Sequence, residues 1–202
     1  VGWNGAKVGG KISYFLNYGS GNFSGEIIAF QRNDTSKLPS ALTSFDSSQF
    51  LVSYNDGVIF HLKYVGNNMP FQYKKMPQLP VNYDVVIATG DLDNDNLIDA
   101  VVVYTAFENK IDPRYVPDWN VTIQVPTDCV VGWYKNIGDN GSFWKFHEVA
   151  KTPSSFAVHK IALSDIDQNG YKDVVILTTG AEQNSISKVY SGKILWVDLV
   201  TL

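Results

Sequence analysis

Short runs of β-branched and apolar residues, separated by polar turns, recur along the chain. The clearest runs are Ala100-Val-Val-Val-Tyr104 and Val174-Val-Ile-Leu177, and such runs favour buried strands over helices. Val, Ile, Tyr, Phe, Trp and Thr are abundant, and no convincing stretch has the roughly 3.6-residue period of an amphipathic helix. The pattern therefore predicts an all-β protein.

A hairpin pattern repeats at longer intervals. It consists of a strand, a polar turn containing Gly and Asn, and a second strand opened by an aromatic residue. The fullest copy is residues 131–143 around Trp133, a second lies around Tyr14, and two weaker copies lie around Phe60 and Trp196. We take these four aromatic residues as equivalent, and we expect Trp133 and Trp196 to lie in the core because they fall inside predicted strands.

Each repeat is predicted to contain four strands, A to D, which is the unit of a β-propeller blade. We expect about three blades' worth of four-stranded antiparallel sheet over residues 1–202. The predicted boundaries are 1–31 for the end of one blade, 40–78 for a degenerate blade, 84–150 for a blade with an acidic loop and 156–202 for an incomplete blade with a second one. Propellers have about four to eight blades, and the chain begins with Val1 rather than Met. We therefore expect a processed piece that is completed by further blades of the same polypeptide or by neighbouring subunits.

Two acidic stretches between predicted strands A and B have the same spacing of oxygen-bearing side chains. We call residues 91–99 loop 1 and residues 165–173 loop 2. Each has an acidic or amide side chain at relative positions 1, 3, 5 and 9, and carboxylates this close repel one another unless a hard cation lies between them. The sequence predicts two Ca²⁺ ions, held by Asp91, Asp93, Asp95 and Asp99 in loop 1, by Asp165, Asp167, Asn169 and Asp173 in loop 2, and by the backbone carbonyls of Leu97 and Tyr171. Position 6, Asn96 or Gly170, should turn sharply with positive φ.

An EF-hand is the nearest alternative for these loops, but it requires Glu at position 12 and a helix on each side. Position 12 is Val102 in loop 1 and Ile176 in loop 2, inside the apolar runs, so we expect the loops to join strands. A metal-free, Asx-rich surface turn is the other alternative. A shortened version around Asp46 lacks the series of carboxylates, and we assign it no metal.

These loops and the hairpin resemble the FG-GAP or VCBS repeat family of integrin-like propellers. The resemblance rests on the Asp-x-Asp-x-(Asp/Asn)-x-x-x-Asp loops followed by apolar runs and on Trp-Tyr-Lys-Asn-Ile-Gly-Asp-Asn-Gly-Ser-Phe from Trp133. It is specific over residues 84–200 and looser over residues 11–83. In that family such loops bind calcium and brace the rim of one face of the propeller. Asn96, where Gly is usual, and the eroded loop at Asp46 depart from the family pattern.

Composition and charge narrow the setting of the protein. The 202 residues carry a net charge of −4, and seven of the 20 acidic residues lie in the two loops. There is no basic stripe, which argues against nucleic acid as a partner, and no apolar run of membrane-spanning length. The single cysteine, Cys129, is expected to be a small buried residue. Four glycosylation sequons favour a secreted or cell-surface protein and lie at Asn22, Asn33, Asn120 and Asn140.

The candidate binding surface is the connection between predicted strands B and C. In the blade of residues 84–150 this connection spans residues 106–129, and residues 179–191 form a second enlarged connection. Long insertions on a rigid scaffold often form binding surfaces. The candidate residues for a protein or glycan ligand are Phe107, Arg114, Tyr115 and Trp119.

The sequence supports no catalytic site. Neither a Ser-His-Asp order, nor a nucleophile elbow, nor a Gly-rich phosphate loop is present, and carboxylates that hold Ca²⁺ are poor proton donors. The favoured function is a non-enzymatic, calcium-braced module of an extracellular or cell-surface protein for adhesion, recognition or assembly. The alternative is the scaffold or carbohydrate-binding part of a secreted polysaccharide-active enzyme.

Overall fold

A computed structural model describes residues 10–32, 34, 36–66, 71–79, 85–111, 122–138, 143–153, 157–184 and 187–197. All regular secondary structure among them is β-strand, which confirms the all-β prediction. No helix in the described part of the chain is long and apolar enough to cross a membrane. The strands are β1 (Lys11–Tyr14), β2 (Asn17–Gly19), β3 (Asn22–Phe23), β4 (Ile27–Gln31), β5 (Pro39–Ser44), β6 (Gln49–Tyr54), β7 (Ile59–Tyr64), β8 (Phe71–Lys75), β9 (Val85–Gly90), β10 (Asp99–Ile111), β11 (Thr122–Asn136), β12 (Trp144–Pro153), β13 (Ala157–Ser164), β14 (Asp173–Asn184) and β15 (Ser187–Val197).

The chain divides into two compact units, Val1–Asn82 and Tyr83–Leu202. In the first unit β5 to β8 form an antiparallel meander in chain order, β1 pairs with β4, and β2 pairs with β3. Its core contains Val52, Tyr54 and Leu62, with Ile12 and Phe30 packed against them. Alternate residues of β6 thus supply one apolar face, as the two-residue period of a strand requires.

A partly buried ion pair lies beside this core. The Arg32 guanidinium donates to both carboxylate oxygens of Asp56 at 3.0 Å, and its Cζ lies 4.7 Å from the centroid of the Tyr54 ring. Both hydrogen bonds come from one nitrogen, Nη1, while the guanidinium carbon lies over the ring. Arg32 therefore links the polar and aromatic parts of the first unit.

The second unit contains two antiparallel sheets. One has the strand order β12-β11-β10-β9 and the other β13-β14-β15. A single core cluster joins them and includes Val101, Val103, Cys129 and Trp133 from the first sheet and Val174 and Ile176 from the second. Trp133 is 9% exposed and Cys129 is fully buried, so both predictions of a core position are confirmed.

The two predicted insertions are not irregular loops over most of their length. β10 and β11 stay paired to Ile111 and Thr122, and β14 and β15 stay paired to Asn184 and Ser187. In their described parts, the predicted connections over 106–129 and 179–191 therefore continue the flanking strands. Polar residues suggested loops there, but a two-stranded ribbon satisfies its backbone groups across the pair without needing an apolar face.

Two further predictions about aromatic residues need correction. Trp196 is 51% exposed, because the face of its sheet that carries Leu177, Ile194 and Trp196 is exposed, whereas the opposite face enters the core. Trp133 and Trp196 are equivalent in register, since they pair with Val101 and Val175, each two residues after the last Asp of its loop. The corresponding residue of β7 is His61 and not Phe60, since His61 pairs with Leu51, two residues after Gln49 at the start of β6.

Candidate metal centre

Both acidic loops join neighbouring antiparallel strands. Loop 1 connects β9 to β10, and Asp99 pairs with Gly90 at its base. Loop 2 connects β13 to β14, and Asp173 pairs with Ser164. The prediction that strands and not helices flank the loops is confirmed, which excludes an EF-hand.

Both loops have positive φ at positions 4 and 6. φ is +65° at Asn96 and +92° at Gly170, which confirms the predicted turn at position 6. φ is also positive at position 4, +60° at Asn94 and +61° at Gln168, which the sequence analysis did not predict. Asn tolerates this region better than other residues, while Gln seldom adopts it. The same pair of turns in both loops supports one common geometry.

Three carboxylates converge in each loop. One oxygen from each of Asp91, Asp93 and Asp99 lies within 4.8 Å of the others, and the same holds for Asp165, Asp167 and Asp173. These are the predicted ligands at positions 1, 3 and 9. Asp95, at position 5 of loop 1, is not a member of its group of three. Oδ1 of Asp95 accepts the N–H of Leu97 at 2.9 Å, and Oδ1 of Asn169, at position 5 of loop 2, accepts that of Tyr171 at 2.8 Å. The backbone carbonyls at position 7 stay a prediction.

The position-9 carboxylates are the most buried members of the two groups. Asp99 and Asp173 are both 0% exposed. Asp99 Oδ1 accepts the N–H of Asn136 at 2.7 Å, and its Oδ2 accepts that of Leu92 at 3.4 Å. Asp173 Oδ2 accepts the N–H of Ile166 at 2.8 Å, the equivalent of Leu92. Each buried carboxylate therefore joins position 2 of its loop to position 9, where the following strand begins.

Several carboxylate oxygens in these groups accept no hydrogen bond from any described residue. They are Oδ1 of Asp91, Oδ1 of Asp93 and Oδ1 of Asp173, and all three are buried. A buried oxygen that loses its water without gaining a partner costs about 1–3 kcal/mol, and more when it is charged. A divalent cation would satisfy such oxygens, and hard carboxylate oxygens are the donors that Ca²⁺ prefers. The residues present therefore fit this metal.

The opposite oxygens are held by the backbone in the same way in both loops. Asp91 Oδ2 accepts the N–H of Asn96 at 2.9 Å, and Asp165 Oδ2 accepts that of Gly170 at 3.0 Å. The turn at position 6 thus fixes the carboxylate at position 1. In loop 1 this leaves Oδ1 of Asp91 for a ligand.

The environment of Asp99 in loop 1 disfavours its ionised form. Burial raises the pKa of Asp99 to about 6, against the N–H of Asn136, which lowers it, while the charge of Asp93 adds to the rise. A bound cation favours the ionised form and would offset the cost of burying it.

Two residues of the Trp133 hairpin complete loop 1, and the sequence analysis did not assign them to the site. Asn136 donates from its backbone to Asp99 and from its side chain to the carbonyl of Ile98 at 3.1 Å. The ammonium of Lys135 pairs with Asp93 and lies 3.5 Å from Asp95 Oδ2. The only signal for them in the sequence was their place in the repeated hairpin. Their contacts show that this hairpin and loop 1 lie at the same end of the sheet.

The other candidate residues are less well defined. Phe107 lies on β10, half-buried and paired in register with Pro126. Asn22 lies exposed on β3. The remaining candidates lie outside the described residues: Arg114, Tyr115, Trp119, Asn33, Asn120 and Asn140.

Comparisons with protein-family models, with curated proteins and with solved structures find no match to this chain.

Proposed function

We propose that the second unit binds two Ca²⁺ ions, one in each acidic loop. The observation that carries the proposal is the repeated group of three converging carboxylates with buried oxygens that lack a hydrogen-bond donor. Asp91, Asp93 and Asp99 would hold one ion, and Asp165, Asp167 and Asp173 the other. When bound, the ions supply positive charge that neutralises the carboxylates.

The ions are structural in this proposal. Each loop ties the end of one strand to the start of the next, and Asp99 also holds the hairpin at Asn136. The paired part of β10 extends over 13 residues from Asp99 to Ile111. At roughly 3.3 Å per residue, its far end lies about 40 Å from loop 1, so the ribbon can contact a ligand without involving the ion.

We further propose that the chain is part of a β-propeller of the FG-GAP or VCBS type that acts in adhesion, recognition or assembly outside the cell. Support comes from the two four-stranded antiparallel sheets, β5 to β8 and β9 to β12, in which consecutive strands are neighbours. The four sequons and the millimolar calcium outside cells, which suits open loops of this kind, add to it. The ligand, a protein or a glycan, would bind the ribbon of β10 and β11 near Phe107. Other blades or neighbouring subunits would complete the propeller.

Calorimetric titration of metal-stripped protein with CaCl₂ tests calcium binding directly. We expect two ions per chain, with a much weaker response to MgCl₂, since Mg²⁺ demands a tighter octahedron. Asp93→Ala and Asp167→Ala should each remove one site. Absence of a calcium response at millimolar concentration contradicts the proposal.

A further inference from the structure

The two acidic loops are joined by a hydrogen bond between side chain and backbone. The amide Nδ2 of Asn94, at position 4 of loop 1, donates to the carbonyl oxygen of Gly170, at position 6 of loop 2, at 2.9 Å. These residues are 76 positions apart in the chain. The contact therefore links two separate candidate metal centres within one unit.

The donor and the acceptor each lie next to candidate metal ligands. Asn94 stands between Asp93 and Asp95, and its φ of +60° belongs to the turn that brings the carboxylates together. The N–H of Gly170 donates to Asp165 Oδ2 at 3.0 Å, and the N–H of Tyr171, which belongs to the same peptide unit as the Gly170 carbonyl, donates to Asn169 Oδ1 at 2.8 Å. An ion that fixes Asp93 therefore orients the donor, and an ion that fixes Asp165 orients the acceptor.

Loop 2 has an observation in favour of a ligand that is independent of its acidic composition. Asp173 is 0% exposed, and its Oδ1 accepts no hydrogen bond from any described residue. One of its carboxylate oxygens lies within 4.8 Å of those of Asp165 and Asp167. The buried oxygen requires a cation or another donor, and the neighbouring carboxylates favour a cation.

The bases of the two loops also rest on one packed cluster. Leu92 of loop 1 is 3% exposed and lies in the same core as Val174 and Ile176, which follow loop 2. At Gly90 an added Cβ would come 3.1 Å from the Cδ1 of Leu163. Because this packing fixes the bases of both loops, a bound ion would need to order only their exposed tips.

We propose that the two loops bind calcium with positive cooperativity, coupled through the hydrogen bond from Asn94 to Gly170. The inference rests on the proposed function, calcium binding at both loops. The first ion orders its own loop and, through this hydrogen bond, part of the other loop, so the second ion meets a smaller ordering cost. By linkage the effect is the same whichever loop fills first.

The expected size follows from one exposed hydrogen bond. The contribution of such a bond to the free energy of binding of the second ion corresponds to about a two- to tenfold change in affinity. Calorimetric titration of the parent chain with CaCl₂ should therefore give two ions, with the second bound about two- to tenfold more tightly than independent sites allow.

A double-mutant cycle isolates the contact. Asp167→Ala empties loop 2, and we expect the affinity of loop 1 for Ca²⁺ to fall about two- to tenfold. In an Asn94→Gly background, the same Asp167→Ala change should leave loop 1 almost unaffected. Gly is chosen because it adopts the positive φ of Asn94 without strain and removes the amide donor; the backbone freedom that it adds needs a control.

Gln168→Gly is the matched control. Gln168 holds position 4 of loop 2, with φ of +61° and an exposed side chain, so its replacement changes loop flexibility equally but leaves the link between the loops intact. We expect this variant to retain the coupling.

The outcomes separate this inference from the proposed function. Two bound ions without cooperativity, coupling that persists in Asn94→Gly, or coupling that is lost equally in Gln168→Gly would each overturn the inference while calcium binding stands. Failure of the parent chain to bind Ca²⁺ at all would instead overturn the proposed function itself.

Discussion

Gln49 begins β6 at the register position where Asp99 begins β10. Gln49 is 3% exposed and Asp99 0%, and two residues further along each strand the cross-strand partners are His61 and Trp133. The amide Nε2 of Gln49 donates to the carboxylate of Asp46 in the short turn that precedes it. In the first unit, the neutral amide of Gln49 thus binds the preceding turn. At the corresponding position of the second unit, Asp99 belongs to a group of three converging carboxylates.

Replacement of Gln49 should therefore have an effect that does not depend on calcium. We expect Gln49→Ala to lower the free energy of unfolding of the first unit by about 1–3 kcal/mol, since it removes a buried polar group and leaves Asp46 without this donor. Urea denaturation in CaCl₂ and in EDTA should give the same loss. Asp167→Ala is the comparison, because its loss should appear only in CaCl₂; calcium-dependent loss in Gln49→Ala would contradict the assignment.

Removal of calcium should loosen the second unit alone. Both groups of converging carboxylates lie within Tyr83–Leu202, and each bound ion at about 100 times its Kd would add about 2.7 kcal/mol. Hydrogen exchange in CaCl₂ and in EDTA measures this strand by strand. We expect faster exchange in β9, β10, β13 and β14 without calcium and no change in β6 and β7. Equal loss of protection in both units would count against the proposal.

The sequence was most informative where local geometry depends on residue type. Asp99 and Asp173 could be placed at the start of buried strands because an apolar run follows each of them, and the turn at Gly170 required positive φ. The all-β class followed from the same runs.

Contacts between residues far apart in the chain could not be predicted from residue type and local pattern. The repeated hairpin placed Lys135 in a recognisable turn, but the sequence pattern did not indicate that it reaches Asp93, that Asn94 reaches Gly170, or that the polar residues after Thr105 continue a strand. These features depend on which strands become neighbours and on backbone pairing, and neither changes the local hydrophobic period.

The Arg32–Asp56 pair should make the first unit lose stability in acid. Burial works against the ionised form of Asp56, but the hydrogen bond and charge of Arg32 and the N–H of Val58 outweigh it and lower the pKa of Asp56 below 3.8. A lowered pKa in the folded state stabilises the protein above the unfolded-state pKa, and this contribution is lost as the pH falls through the folded-state value.

Asp56→Asn tests the linkage. We expect the variant to lose about 1–2 kcal/mol at pH 7, because the pair is largely but not fully buried. The difference between parent and variant should shrink as the pH falls below about 4. Urea denaturation between pH 2 and 7 in EDTA measures it, and a difference that stays constant with pH would contradict the role of the ion pair.

Lys135 provides the sharpest test of charge in loop 1. Its ammonium pairs with Asp93, lies 3.5 Å from Asp95 Oδ2 and is 5.6 Å from the centroid of the Trp133 ring. Loop 1 has four carboxylates where loop 2 has three and the amide of Asn169, so the ammonium offsets the additional negative charge. A positive charge beside the ligands should repel Ca²⁺ and compete for the same oxygens.

Lys135→Met should therefore strengthen calcium binding at loop 1, by about fivefold for an interaction of ~1 kcal/mol at a partly exposed site. Calorimetry in an Asp167→Ala background reports loop 1 alone, and the gain should decrease as ionic strength rises, because salt screens the repulsion. Lys151→Met is the matched control: this residue of β12 pairs with Asp128 at 3.2 Å and belongs to the other end of the same sheet, so its loss should leave the affinity unchanged. Weaker binding in Lys135→Met would mean that the ammonium positions Asp93 for the ion and does not compete with it.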